Sequence, residues 1–182
     1  MSKIGISNLH YAVQTTEDTA STAAVYGTPV AVPGMVSADV TPASNTATLY
    51  ADNGPYETAN TLGEITVSLD LADLPLEVQA ALLGHTLTSG QLDSKTDDVA
   101  PYVALMFEYL LGSGKKRCVK LYKGRFSEPA ESAQTKGENV EFQTNTVEAS
   151  FVQLKNTKLW KSTKDFDADA STATWYTSVL PA

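Results

Sequence analysis

The segment Glu64-Ile65-Thr66-Val67-Ser68-Leu69-Asp70-Leu71 alternates polar and apolar residues without error. Ile65, Val67, Leu69 and Leu71 therefore share one face, the pattern of a strand with a core on one side and water on the other. Immediately downstream, Asp73 and Pro75 offer a helix start. Leu76, Val78, Ala80, Leu82 and Leu83 then supply apolar positions, and Gly84 suits the left-handed residue that ends a helix. The spacing predicts a helix over about 75–83. At that length it is marginal in water and must be held against a sheet.

Further along, Val103, Leu105, Phe107, Tyr109 and Leu111 again share one parity. Gly112-Ser113-Gly114 follows as a turn, and Cys118-Val119-Lys120-Leu121-Tyr122 resumes an extended pattern, which reads as a hairpin. From Asn139 to Lys155 the composition is also that of a strand, but the apolar phase slips between Phe142 and Val147, so a break near Thr144 to Thr146 is expected. Shorter strands fit Ile4 to Val13, Val36 to Val40 and Thr46 to Ala51, and a turn of helix fits Ala173 to Leu180. Thr15 to Tyr26 and Ser127 to Glu138 read as surface loops. Thr41 to Leu62 reads as a long extended connection, and connections of that length inside a compact domain are usually functional. No stretch has the composition of a linker and no repeat occurs, so residues 1–182 are expected to form a single, mainly β domain.

Charge is distributed unevenly. The chain carries 13 Lys+Arg against 21 Asp+Glu, a formal net charge of −8, yet residues 4–94 contain no Lys or Arg at all. The net charge through residue 91 is already −8, and the remainder is balanced. Tight binding of a nucleic-acid duplex rests on Lys and Arg neutralising phosphates, so this balance argues against it. No segment has the ~20 apolar residues needed to span a bilayer. The start Met1-Ser2-Lys3-Ile4-Gly5 lacks the apolar core of a secretion signal, and folding in a cytoplasm is expected.

Motifs that carry chemistry are weak. His10, His85 and Cys118 have no short-range spacing that would preorganise a metal site or a nucleophile pair, and Cys118 in a strand reads as a core residue. Asp165-Phe166-Asp167-Ala168-Asp169 opens like a calcium loop but has Ala170 where glycine is needed and Tyr176 where a bidentate Glu is needed. Gly112-Ser113-Gly114-Lys115-Lys116 lacks the first glycine and the magnesium-binding hydroxyl of a phosphate loop. Nothing marks Asp97 and Asp98 as an acid/base pair. No catalytic residue, cofactor or metal is assigned, and an enzyme is not expected. Lys115, Lys116, Arg117, Lys120, Lys123 and Arg125 form a basic cluster with three open readings: a contact with phosphate or an acidic partner, a charged edge strand, or a surface facing the acidic half of a neighbouring copy.

The connection after the second strand also carries a likeness. Leu49-Tyr50-Ala51-Asp52-Asn53-Gly54-Pro55-Tyr56-Glu57-Thr58, then Gly63-Glu64, Leu69-Asp70-Leu71-Ala72-Asp73-Leu74-Pro75 and Leu82-Leu83-Gly84-His85, resembles the major tail proteins of long-tailed, non-contractile bacteriophages. Gly5-Ile6-Ser7-Asn8-Leu9-His10-Tyr11-Ala12 and the segment Arg117 to Phe126 extend the resemblance over most of the chain.

The resemblance implies a tail-tube subunit made of two packed antiparallel β-sheets, a sandwich or partial barrel, with one short flanking helix. It implies six copies per ring, rings stacked into a tube that delivers the genome, and DNA passing through the lumen without specific binding. The partners it implies are further copies of the chain and the tape measure, tail tip and tail terminator proteins. The location is the virion after synthesis in the host cytoplasm. Tyr50, Asp52, Pro55 and Tyr56 are the expected inter-ring contacts, and Lys115 to Arg125 the expected intersubunit cluster. A monomeric carbohydrate- or receptor-binding β-sandwich is the alternative, and it calls for an exposed aromatic platform in which Trp160 or Trp175 would take part.

Overall fold

The computed structural model describes residues 2–130 and 144–180. The chain is mainly β: β1 (Lys3–Thr16), β2 (Val25–Tyr26), β3 (Val30–Val32), β4 (Met35–Ala51), β5 (Gly54–Leu71), α1 (Leu76–Leu83), β6 (Thr86–Thr88), β7 (Gln91–Asp93), β8 (Val103–Leu111), β9 (Lys116–Phe126), β10 (Asn145–Val152) and β11 (Lys161–Phe166), with a 3-10 turn at Ala173–Tyr176. Every strand pairing is antiparallel. The large sheet runs β2-β1-β8-β9-β10-β5-β4, with β3 added to β1 and β11 to β9, and β6 and β7 make a small second sheet. The large sheet is not closed into a barrel; β4 stands at one end of its order.

The inner faces of this sheet build the main core. Ile65, Val67, Leu69 and Leu71 meet Val103, Leu105 and Phe107 of β8, Val119 and Leu121 of β9, and Val147, Ala149 and Phe151 of β10, and Val78, Leu82 and Leu83 of α1 join them. The helix ends as the sequence predicts, on Gly84 at φ 79°. A second, smaller core lies on the opposite face, where Ala12, Ala104, Met106 and Tyr122 are covered by Leu154 and Val179. Strand β8 is therefore buried on both faces, which explains its nearly continuous apolar run.

Strand β9 changes parity partway along. Val103 pairs with Gly124 but Leu105 with Leu121, so Tyr122 and Lys123 together stand opposite Ala104 in a bulge. Before the bulge the odd residues face the main core; after it Gly124 and Phe126 do. Lys123 thereby turns onto the second face beside Tyr122.

Several expectations need revision. Val36–Val40 and Thr46–Ala51 are parts of one strand, and residues 41–62 are a hydrogen-bonded hairpin rather than an irregular connection. Near the C-terminus only Ala173–Tyr176 is helical. Of the expected strand from Asn139 to Lys155, β10 covers Asn145–Val152, and residues 139–143 lie outside the described residues, as does 131–138 of the expected loop. The end of the expected loop from Thr15 to Tyr26 forms the short strand β2, paired with β1, and strands β3, β6, β7 and β11 had no expectation attached to them.

Candidate assembly surfaces

The β4–β5 hairpin outruns the body of the molecule. The last β5 residue with a neighbour on its other side is Ile65, opposite Phe151 of β10. Beyond it Ser44–Ala51 and Gly54–Leu62 pair only with each other, from Ser44 opposite Leu62 to Ala51 opposite Gly54. Eight residues at ~3.3 Å each carry this arm roughly 26 Å past the sheet. Asp52 and Asn53 turn the chain with φ of 50° and 64°, the signature of a tight two-residue hairpin loop that matches the twist of the flanking strands.

All four residues expected as inter-ring contacts fall at this tip. Tyr50 is 71% exposed and Tyr56 72%. Leu49 and Leu62 are also open to solvent. Leu49 pairs with Glu57 and Tyr50 with Pro55, so Tyr56 is the extra residue of a bulge next to the turn. Asp52 and Glu57 have no intrachain cation among the described residues. A two-stranded ribbon with apolar side chains in water is marginal by itself.

The outer faces of β4, β5 and β10 form the second surface. Register places Ser37, Asp70 and Thr146 in one row, Asp39, Ser68 and Glu148 in the next, and Thr41, Thr66 and Ser150 in a third. It is a carpet of hydroxyls and carboxylates without a lysine. Asp70 accepts hydrogen bonds from Ser37 Oγ and Thr146 Oγ1 at 2.6 Å each, and these hold its carboxyl below the ordinary range, so it stays ionised. The free edge of β4 borders this face, and no Lys or Arg guards it, whereas the free edge of β11 carries Lys161 and Lys164.

The basic cluster divides. Lys115 pairs with Asp167 at 2.9 Å, and Arg117 grips Asp165 through Nε at 2.6 Å and Nη2 at 2.8 Å. Those contacts also take up two of the three carboxylates of the calcium-like segment. Lys120 is buried, donating to the Ser178 and Val179 carbonyls while its ammonium lies 4.4 Å from the Trp175 ring; desolvation lowers its pKa. Lys123 is buried against Asp18 and Glu17. Arg125 is exposed and stacks on Tyr102 at 4.0 Å, and Lys116 is half-buried on β9. β9 is no edge: β8 flanks it on one side, β10 and β11 on the other.

The residues weighed for chemistry stand apart. His85 faces Asp98 through Nδ1 at 2.8 Å and Glu128 through Nε2 at 3.1 Å, each carboxylate accepting from the ring nitrogen when that nitrogen carries a proton. Cys118 sits beside the buried Glu108, and burial followed by that carboxylate pushes its thiol up to about 11, which leaves it a poor nucleophile. Glu108 itself is satisfied by Asn8 Nδ2 at 2.7 Å and, more weakly, by Ser7 and Tyr176. Among the described residues no group of three or more His, Cys, Asp and Glu is placed to hold a metal. Trp160 and Trp175 are half-buried and each carries a lysine over its ring, so neither offers an open platform. Among the described residues no helix is long and apolar enough to cross a membrane.

A family model described as phage tail tube protein matches residues 5–177. No curated protein sequence matches the chain.

Proposed function

The chain belongs to the phage tail tube protein family and is thus a structural component of a virion, and on that premise we propose that it polymerises as stacked hexameric rings into a tube that conducts the genome. The role is architectural, in keeping with the family and with a site made of surfaces rather than of a reactive constellation. The single observation that carries the reading is the arm of residues 44–62, a ribbon that the body of its own subunit does not support. Residues that keep Tyr50, Tyr56, Leu49 and Leu62 in water gain their stabilisation when another copy covers them.

Within a ring, the β4 edge is the place where a neighbouring copy extends the sheet, because a 17-residue edge without Lys or Arg, broken only by Pro42 and its bulges, otherwise invites promiscuous pairing. That joint would bring the hydroxyl and carboxylate face of β4, β5 and β10 into register around the bore. Six copies at −8 each carry about −48 charges, and a wall of carboxylates and neutral hydroxyls repels phosphates while offering them no cation to stick to. DNA then slides without binding. Tyr50, Asp52, Pro55 and Tyr56 make the contact between rings. The members of the basic cluster that are not buried and have no carboxylate partner among the described residues, exposed Arg125 and half-buried Lys116, are what remains for contacts between subunits. The tape measure, tip and terminator proteins would meet the two ends of the stack, and synthesis would take place in the host cytoplasm.

Negative-stain electron microscopy of the purified protein at high concentration, with a sedimentation profile, tests the reading. Hollow tubes of uniform bore are expected, and deletion of residues 45–60 should abolish stacking while leaving a folded subunit. A wild-type chain that stays monomeric across the concentration range, or an arm-deleted chain that still stacks, overturns it.

A further inference from the structure

The arm of one copy needs a receiving surface on the next, and a cavity on the second face has the chemistry for it. A hollow of about 460 Å³ opens between β11 and the C-terminal segment, lined by Lys120, Tyr122, Lys164, Phe166, Trp175 and Val179 among others. Its size admits one aromatic side chain. Trp175 and Phe166, in its wall, meet edge to face with ring centroids 6.1 Å apart, so the hollow is walled by aromatic surface.

Lys158, Lys161 and Lys164 lie on or next to the adjoining edge strand, and all three are exposed. No carboxylate pairs with any of them among the described residues, whereas the exposed Lys115 and Lys155 and the half-buried Arg117 each have an acid of their own. The only acid within β11, Asp165, is already held by Arg117. Such lysines also block strand addition at the β11 edge, which leaves side chains, not backbone, to make a contact there. The arm tip presents the complement: two exposed tyrosines, the unpaired Asp52 and Glu57, and no cation anywhere in residues 4–94.

We infer that the cavity between β11 and the C-terminal segment is the socket for the arm of a second copy, taking a tyrosine of its tip, with Asp52 and Glu57 meeting Lys164 at the cavity wall and Lys161 on the other face of the same edge strand. The inference rests on the ring-stacking reading and adds to it the surface on which stacking occurs.

A charge swap tests the pairing. D52K/E57K and K161E/K164E are each expected to lose tube formation at concentrations where wild type assembles, and the protein carrying all four substitutions should recover it, with circular dichroism and thermal melts showing each subunit folded. Recovery in the combined protein also rules out that either pair merely fails to fold. Tubes formed by K161E/K164E alone, or no recovery in the folded combined protein, overturn the socket while leaving the tube reading intact. Failure of the wild type to assemble overturns the tube reading and the socket with it.

Discussion

Lys123 Nζ lies 2.5 Å from Asp18 Oδ1, with both side chains buried, so an ion pair closes the second core between β9 and the loop that follows β1. The other oxygen of Asp18 accepts the backbone N–H of Lys155, which ties the segment after β10 to the same point. Breaking a buried pair from one side strands a charge, and such losses run to about 3–5 kcal/mol. Asp18→Ala and Lys123→Met should each lower the unfolding free energy read from urea melts by an amount of that order. The double variant should lose much less than the sum, because neither partner is then left unpaired. Additive losses would show that the two groups do not act as a pair.

The same pair sets an acid limit. Burial alone would raise the Asp18 carboxyl, but the hydrogen bonds from Lys123 and Lys155 outweigh it and hold the group below its ordinary value. A carboxyl depressed in the folded state contributes stability at neutral pH, and that contribution disappears as pH falls through the folded value. The wild type should therefore lose stability on acidification below about pH 4 more steeply than Asp18→Asn, as read from urea midpoints.

How much of this was legible depends on which faces enter a core. Segment 64–71, β8, β9 and α1 follow from periodicity because each presents one apolar face to the main core, or in β8 two. The arm escapes that signal. Neither face of residues 44–62 packs on the body, so selection for alternating hydrophobes is absent and a composition of Thr, Ala, Asn and Pro reads as a connection. Strand β11, Lys-Ser-Thr-Lys-Asp-Phe, lies at an edge and half-buries only Ser162 and Phe166. Lys123 was hidden for a different reason: the bulge that turns it inward and the acid that receives it lie 105 residues apart in sequence. The arm-tip residues were nameable because the likeness of the segment, not its periodicity, singled them out.

His85 should give the subunit a second pH dependence, of opposite sign. Its two ring nitrogens face Asp98 and Glu128, and both can be satisfied at once only when the ring is protonated. The hydrogen bond to Asp98, ahead of that to Glu128, raises its pKa despite the cost of burial. A histidine raised in the folded state contributes fully below its unfolded pKa and loses that contribution as pH rises through the folded value. The stability difference between wild type and His85→Gln should then be larger near pH 6 than near pH 9. A difference that does not vary with pH would count against a charged His85.

Two glycines are fixed by space. At Gly84 a Cβ would stand 2.5 Å from the Val99 carbonyl oxygen at a φ of 79°, and at Gly124 it would overlap the Phe151 ring in the main core. Strain at the first and overpacking at the second each cost about 1–3 kcal/mol. Gly84→Ala and Gly124→Ala should both lower the thermal midpoint, whereas Gly90→Ala, with open space around it but a φ of 83°, should show the backbone cost alone.

The arm separates subunit stability from assembly. Tyr50→Ala with Tyr56→Ala removes two exposed side chains outside the core, so the unfolding free energy of the free subunit, read from urea melts, should change by no more than about 0.5 kcal/mol. Tube formation should nonetheless be lost. Hydrogen exchange reads the same division from the other side. In the free subunit the amides of residues 44–62 belong to a ribbon with no third strand, and they should exchange faster than those of residues 65–71, which β10 covers. In tubes the protection of the two stretches should converge. Full protection of the arm before assembly would mean that the subunit supports it by itself, and the reason for seeking a second copy to cover it would vanish.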